Sequence, residues 1–221
     1  MKAKKIAGEK AAEYIKDGMV VGLGTGSTVY WAVQKVGEMV REGLNIRAVP
    51  TSEQTKSLAE DLEIPIVSLA DINYIDLTID GADEVDPNLN LIKGGGGALV
   101  REKIVAYQSK KLIIIVDESK IVDKLGAFPL PVEVVYFGVD KTLINLEKFD
   151  CQAKLRKENG EVFNTDNHNY IIDCNFEEIE NPGKLNNELN ELPGVVETGL
   201  FVEMADKVIV GTNQGDLKIV E

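Results

Sequence analysis

The chain has 221 residues, 44% of them hydrophobic, enough apolar surface for a buried core in one large domain or one and a half. Its 37 acidic against 24 basic residues leave a net charge of -13, which opposes unspecific attraction to nucleic acid or anionic membranes and requires any anionic ligand to meet a locally positive site. Apolar runs such as Leu112 to Val116 fall far short of the roughly 20 residues of a membrane helix, and the N-terminus lacks a signal-peptide core, so a cytoplasmic protein without membrane contacts is expected.

Over residues 3–16, Ile6, Ala7, Ala11, Tyr14 and Ile15 recur at helical spacing, and Asp17-Gly18 ends that helix. Met19 to Leu23 reads as a buried strand, followed by a glycine-rich turn, a helix over 28–41, a strand over 46–49, a helix after Thr51-Ser52 and a short strand over 64–67. A strand over 75–79, a helix over 97–108 and a strand over 112–116 continue the alternation. The fold class expected is α/β, an open, mostly parallel, helix-covered sheet of Rossmann-like kind.

After Pro129 and Pro131 the texture changes to short strands over 133–139, 152–156, 162–165 and 170–173 with one helix over 183–191, a smaller α+β insert that residues 198–203 complete. Strands over 207–210 and 217–220 return to the main sheet. The expected domains are 1–127 plus 204–221, carrying the catalysis, and 128–203, placed at an oligomer interface. Cys151 and Cys174 are far apart and lack metal-ligand spacing, so they read as buried free thiols. The single histidine, His168, lies in the turn-like Asn167-His168-Asn169 and reads as a surface residue.

Four segments carry chemistry. Gly22-Leu23-Gly24-Thr25-Gly26-Ser27-Thr28 joins a strand to a helix, where amides and the helix dipole favour an anion; the hydroxyls of Thr25, Ser27 and Thr28 suit a lone phosphate, whereas Ser27 in place of a third glycine argues against a dinucleotide. Asp80-Gly81-Ala82-Asp83-Glu84-Val85-Asp86 follows a buried strand; it reads as a solvated acidic loop, a metal site or an acid/base pair, and Asp80 and Asp83 are favoured for the last role. Lys93 with Gly94, Gly95, Gly96 and Gly97 opens a helix and suits an oxyanion. On that helix Val100, Ile104 and Tyr107 form an apolar stripe, which places Glu102 on the exposed side. Asp117-Glu118-Ser119-Lys120 ends another strand at the same rim, where Lys120 is either a surface lysine or a closing charge.

Together and in this order, the TGST, DGAD and KGGG-x-x-L-x-REK elements resemble the A-type ribose-5-phosphate isomerase family, as do Phe128 to Val134, Leu192 to Val196 and Gly199 to Phe201. The resemblance implies that Thr25, Gly26, Ser27, Thr28, Asp80, Gly81, Ala82, Asp83, Lys93, Gly94, Gly95 and Gly96 bind the phosphosugar. It also implies that Glu102 is the catalytic base, against the periodicity, that Lys120 binds substrate and that Lys4 contacts phosphate. Asp80, Asp83 and Lys93 join Glu102 as catalytic groups. Gly97 stands where the family pattern has alanine, Val100 where it has threonine, and His168 where it has a turn glycine; none of these removes a named catalytic group. The implied reaction converts an aldose to a ketose through an enediolate, needs no cofactor or metal, and belongs to the non-oxidative pentose phosphate pathway. A homodimer or homotetramer is expected. Amino-sugar phosphate deaminases and coenzyme A transferases fit the motif set less well, and a sugar-phosphate sensor that binds without turnover is the rival from another class.

Overall fold

A computed structural model describes residues 1–221. In chain order it runs α1 (Lys2–Ala12), β1 (Val20–Leu23), α2 (Val29–Arg41), β2 (Arg47–Pro50), α3 (Glu53–Asp61), β3 (Leu77–Asp80), β4 (Glu84–Val85), β5 (Leu91–Ile92), α4 (Leu99–Tyr107) and β6 (Leu112–Asp117). It continues with β7 (Leu130–Val134), α5 (Val139–Leu146), β8 (Gln152–Leu155), β9 (Lys157–Glu158), β10 (Glu161–Val162), β11 (Tyr170–Asn175), α6 (Pro182–Asn190), β12 (Val195–Thr198), β13 (Leu200–Phe201), β14 (Lys207–Gly211) and β15 (Leu217–Val220). The chain divides into two compact units, one of Met1–Ala82, Arg101–Ile121 and Met204–Glu221, the other of Asp83–Val100 and Val122–Glu203.

The first unit is built on a six-stranded sheet in the order β15-β14-β6-β3-β1-β2, parallel except for the antiparallel edge strand β15. All of β1 and Leu112 to Val116 of β6 are buried, which is why these segments read as unbroken apolar runs. Val21, Leu23, Ile79, Ile113 and Ile115 pack with Ala7, Ala11, Ala32, Val33 and Val36 of α1 and α2. The buried face of α1 is made of small residues, and a Cβ on its Gly8 would lie 2.8 Å from the Ala32 nitrogen, so α1 lies close against α2. Because β1, β2, β3 and β6 run parallel, their C-terminal ends share one rim. With β1 flanked by β2 on one side and β3 on the other, the strand order reverses there, which is where open α/β sheets form a crevice.

The second unit holds a four-stranded antiparallel sheet, β12-β7-β11-β8, whose Leu130, Val132 and Ile172 pack with Leu146 of α5 and Leu189 of α6. A three-stranded antiparallel sheet, β13-β5-β4, and the hairpin β9-β10 complete it. The pairing of Leu91 and Ile92 with Phe201 and Leu200 draws residues 83–100 into this unit, whereas the sequence reading begins the smaller domain at 128.

Several elements differ from expectation. Residues 64–67 make only an isolated parallel bridge, Ala48 to Ile66, beside the outermost parallel strand, because Pro65 has no N–H with which to extend a ladder. The strand expected over 133–139 is β7, three residues earlier; Pro131 forfeits one donor there, but its carbonyl accepts the Gly199 N–H at 2.7 Å. The residues after it turn through Gly138, φ 73°, into α5, a helix not anticipated. Of the strand expected over 162–165 only Val162 lies in a strand, β10.

Candidate active site

The glycine turn after β1 lies in the first unit and opens α2. Thr28 is the N-cap residue and its side chain makes no capping hydrogen bond; the Tyr30 and Trp31 N–H groups of the first turn donate to the Gly26 and Thr28 carbonyls, so what this end of α2 offers an anion is chiefly its dipole. Gly26 and Ser27 are exposed. Lys4, carried by α1, donates from Nζ to Ser27 Oγ at 2.9 Å, and Asp117 at the end of β6 stands 3.9 Å from the same ammonium. Burial works against ionisation of Asp117, but hydrogen bonds from the Ser119 hydroxyl and N–H and the charges of Lys4 and Lys120 outweigh it and hold the carboxyl below its ordinary value. The charges of Lys4 and Lys120 therefore both act on one carboxylate close to the glycine turn after β1.

The Thr25 hydroxyl is turned inward, 2.8 Å from both Thr51 Oγ1 and Ser52 Oγ, and Thr55 donates to the Gly24 carbonyl at 2.8 Å. Thr51, Ser52 and Thr55 are buried, so this hydroxyl cluster fixes the turn from beneath, leaving Ser27 and Thr28 for a ligand. The sequence signal was the Thr51-Ser52 pair at the end of β2, read only as a helix start. Ser52 does cap α3, accepting from Thr55 N–H.

At the end of β3, Asp80 is 1% exposed, and its Oδ1 accepts the Thr25 and Gly81 N–H groups at 3.2 and 2.7 Å. The approach of β1 to β3 is so close here that a Cβ on Gly24 would lie 2.0 Å from Asp80 Oδ1. Further along the acidic run, within the second unit, Asp83 Oδ2 accepts the Gly95 N–H at 2.7 Å and Glu84 accepts the N–H groups of Gly126 and Phe128. Asp86 accepts from Asn88 and Asn90. Each carboxylate in the run is aimed at its own N–H donors.

Glu102 corrects the helix-face reading. The structure buries Leu99, Glu102, Val105 and Ala106, while Ile104 is 48% and Tyr107 80% exposed. A helix turns about 100° per residue, so 99, 102, 105 and 106 share a face. Periodicity therefore picked the wrong side, and Glu102, 4% exposed in the first turn of α4, is a buried carboxylate at the positive end of a helix dipole. Beside it Arg101 reaches Glu53 at 2.8 Å.

In the second unit, Lys93 is 2% exposed, its N–H donates to the Gly199 carbonyl at 2.8 Å, and its ammonium lies 5.4 Å from the centroid of Phe201. Gly95 and Gly96 are exposed beyond it. A Cβ on Gly95 would come within 2.6 Å of Asp83 Oδ1, so the missing side chain is what lets the loop amide reach that carboxylate. Gly81 and Ala82 form the link between Asp80 and Asp83. His168 is exposed at φ 62°, as its turn setting requires. Cys174 is buried, Cys151 is half-buried beside it, and both are free.

A profile of ribose 5-phosphate isomerase A (phosphoriboisomerase A) matches residues 47–215. Ribose-5-phosphate isomerase A of Bacillus cereus is 59% identical over 216 residues, covering 97% of this chain and 98% of that one. Among solved structures, ribose 5-phosphate isomerase from Plasmodium falciparum superposes with a TM-score of 0.96 at 42% identity, covering 99% of this chain and 97% of that one. A D-ribose-5-phosphate isomerase in complex with phospho-erythronic acid gives 0.95 at 47% identity, with the same coverage.

Proposed function

The chain belongs to the ribose 5-phosphate isomerase A family, and we propose that its Glu102 is the base that moves a proton between C2 and C1 as D-ribose 5-phosphate and D-ribulose 5-phosphate interconvert. The observation that carries this assignment is the burial of Glu102, a carboxylate held out of water in the first turn of α4, where a merely solvated acid would be exposed. Asp80 assists opening of the sugar ring and Asp83 orients the hydroxyls. Lys93, with the Gly96 amide of the glycine loop, stabilises the charge that develops on the enediolate oxygens, while the Gly95 amide holds Asp83. The amides and hydroxyls from Gly26 to Thr28, with Lys4 and Lys120, hold the phosphate. The contribution of Thr25 is its inward hydroxyl, which fixes the turn.

The step is redox-neutral and its charge is met by a lysine and amides, so we assign it no cofactor and no metal. Replacing Glu102 by glutamine keeps the shape and removes the base; a positioned base contributes about 10² to 10⁴ in rate, so kcat should fall by at least that lower figure with KM little changed. Near-normal kcat in the folded variant would take Glu102 out of the mechanism.

We place self-association, as a dimer or tetramer, on the second unit, where Tyr136 and Phe137 are exposed between β7 and α5 and Ile144 of α5 adds apolar surface. Sedimentation showing a monomer at micromolar concentration would remove that assignment. No helix is long and apolar enough to cross a membrane. We place the enzyme in the cytoplasm, which cell fractionation checks.

A further inference from the structure

Arg156, just beyond β8, is a residue that nothing in the motifs marks, and its side chain is only 13% exposed. It donates from Nε to Asp173 Oδ2 at 2.9 Å and from Nη2 to Asp173 Oδ1, a two-pronged pairing that fixes the guanidinium plane. The remaining arm, Nη1, donates to the carbonyl oxygens of Gly94 at 2.9 Å and Gly95 at 3.2 Å. Phe163 stands 5.7 Å from the guanidinium carbon and fills the space where a Gly97 side chain would be, its ring 2.4 Å from an added Cβ. The glycine loop is thus gripped on one side by a half-buried cation and a ring.

A peptide unit is planar and trans, so holding a carbonyl in one direction turns the N–H of the next residue the opposite way. Gripping the Gly94 carbonyl directs the Gly95 N–H, and that N–H meets Asp83 Oδ2 at 2.7 Å. Gripping the Gly95 carbonyl directs the Gly96 N–H away from Arg156. The cation also polarises both peptide groups and strengthens them as donors. We propose that Arg156, anchored by Asp173, is a positioning residue for the isomerisation: it fixes and polarises the glycine loop so that the Gly96 N–H serves the enediolate oxygen and Asp83 stays in register. This rests on the isomerase reading above.

The test is Arg156→Met, with Asp173→Asn beside it, assayed on the full chain. A loop misplaced by about 1 Å can cost up to about 10²-fold in rate, so kcat for ribose 5-phosphate should fall between about tenfold and a hundredfold while KM stays within about threefold. Inhibition by phospho-erythronic acid, whose carboxylate stands in for the enediolate oxygens, should weaken by the factor lost in kcat, and amide exchange at Gly96 should quicken by at least about tenfold. A folded Arg156→Met enzyme with unchanged kcat, or with its loss confined to KM, overturns the proposal. Should Arg156→Met not fold, Asp173→Asn decides, with a loss of about threefold to tenfold in kcat expected and unchanged kcat refuting. Indifferent variants of an active parent sink the positioning role alone; a parent that leaves ribose 5-phosphate unconverted sinks the isomerase reading and this inference with it.

Discussion

Replacing Gly24 by alanine puts a methyl group into space that Asp80 occupies. The added carbon would lie 2.0 Å from Asp80 Oδ1, 2.2 Å from its Cγ and 2.7 Å from its Cα. The last of these is backbone at the end of β3 and cannot rotate away, so either the turn or the strand end must move. Overpacking of this kind costs about 1 to 3 kcal/mol. In a chain of this length each kcal/mol lowers Tm by about 2 to 4 °C, so a fall of roughly 2 to 12 °C is expected. Activity should suffer more than stability, because the relief of the clash displaces a carboxylate whose Oδ1 holds the Thr25 and Gly81 amides; a displacement near 1 Å is worth up to about 10²-fold in kcat. The assay is calorimetry with isomerase kinetics, run against Gly183→Ala, where an added Cβ meets nothing nearer than 3.7 Å and helix propensity favours alanine by about 0.5 to 1 kcal/mol. Gly24→Ala with unaltered Tm and kcat would refute the argument that the β1 turn and Asp80 are locked by contact.

Asp76 accepts the Val20 N–H at 3.0 Å and the Lys110 ammonium at 3.1 Å. The Val20 N–H, with burial opposing and Lys110 adding, holds its carboxyl below the ordinary 3.8 in the folded chain. Its contribution to stability is therefore present above that value and lost as pH falls through the folded one, so Asp76→Asn should be less stable at pH 7 by about 1 to 2 kcal/mol. The deficit should shrink below about pH 4, as read by urea midpoints; a deficit independent of pH would contradict the sign. Treatment with EDTA should leave turnover intact, since the carboxylates from Asp80 to Asp86 are directed at N–H donors; abolition reversed by a divalent cation would return the acidic run to a metal site.

How much of this was readable in advance follows from where the information sits. Buried parallel strands such as β1 and β6 announce themselves because both faces are covered, which makes Val20–Leu23 and Leu112 to Val116 unbroken runs without a polar side chain. The glycine turns were also legible, because only a close approach excuses so many residues without side chains, and Gly24 and Gly95 each show that approach. Glu102 was not, because a functional acid on a buried face breaks the periodic rule that would reveal the face; the family resemblance named it where spacing pointed away. Thr25 shows the converse, since its residue type suited phosphate but its hydroxyl satisfies a buried cluster. Nor could Arg156 be found from sequence, because its partners are 17 and about 60 positions away and meet only through tertiary contacts.

The most direct test of the central claim is to incubate the EDTA-treated protein with ribose 5-phosphate in deuterated water and follow the sugar by NMR. The account predicts ribulose 5-phosphate carrying deuterium at C1, the mark of an enediolate reprotonated by a base that exchanges with solvent, and loss of both signals in Glu102→Gln. Ribose 5-phosphate that binds yet remains unconverted would contradict it and leave a sugar-phosphate sensor in its place.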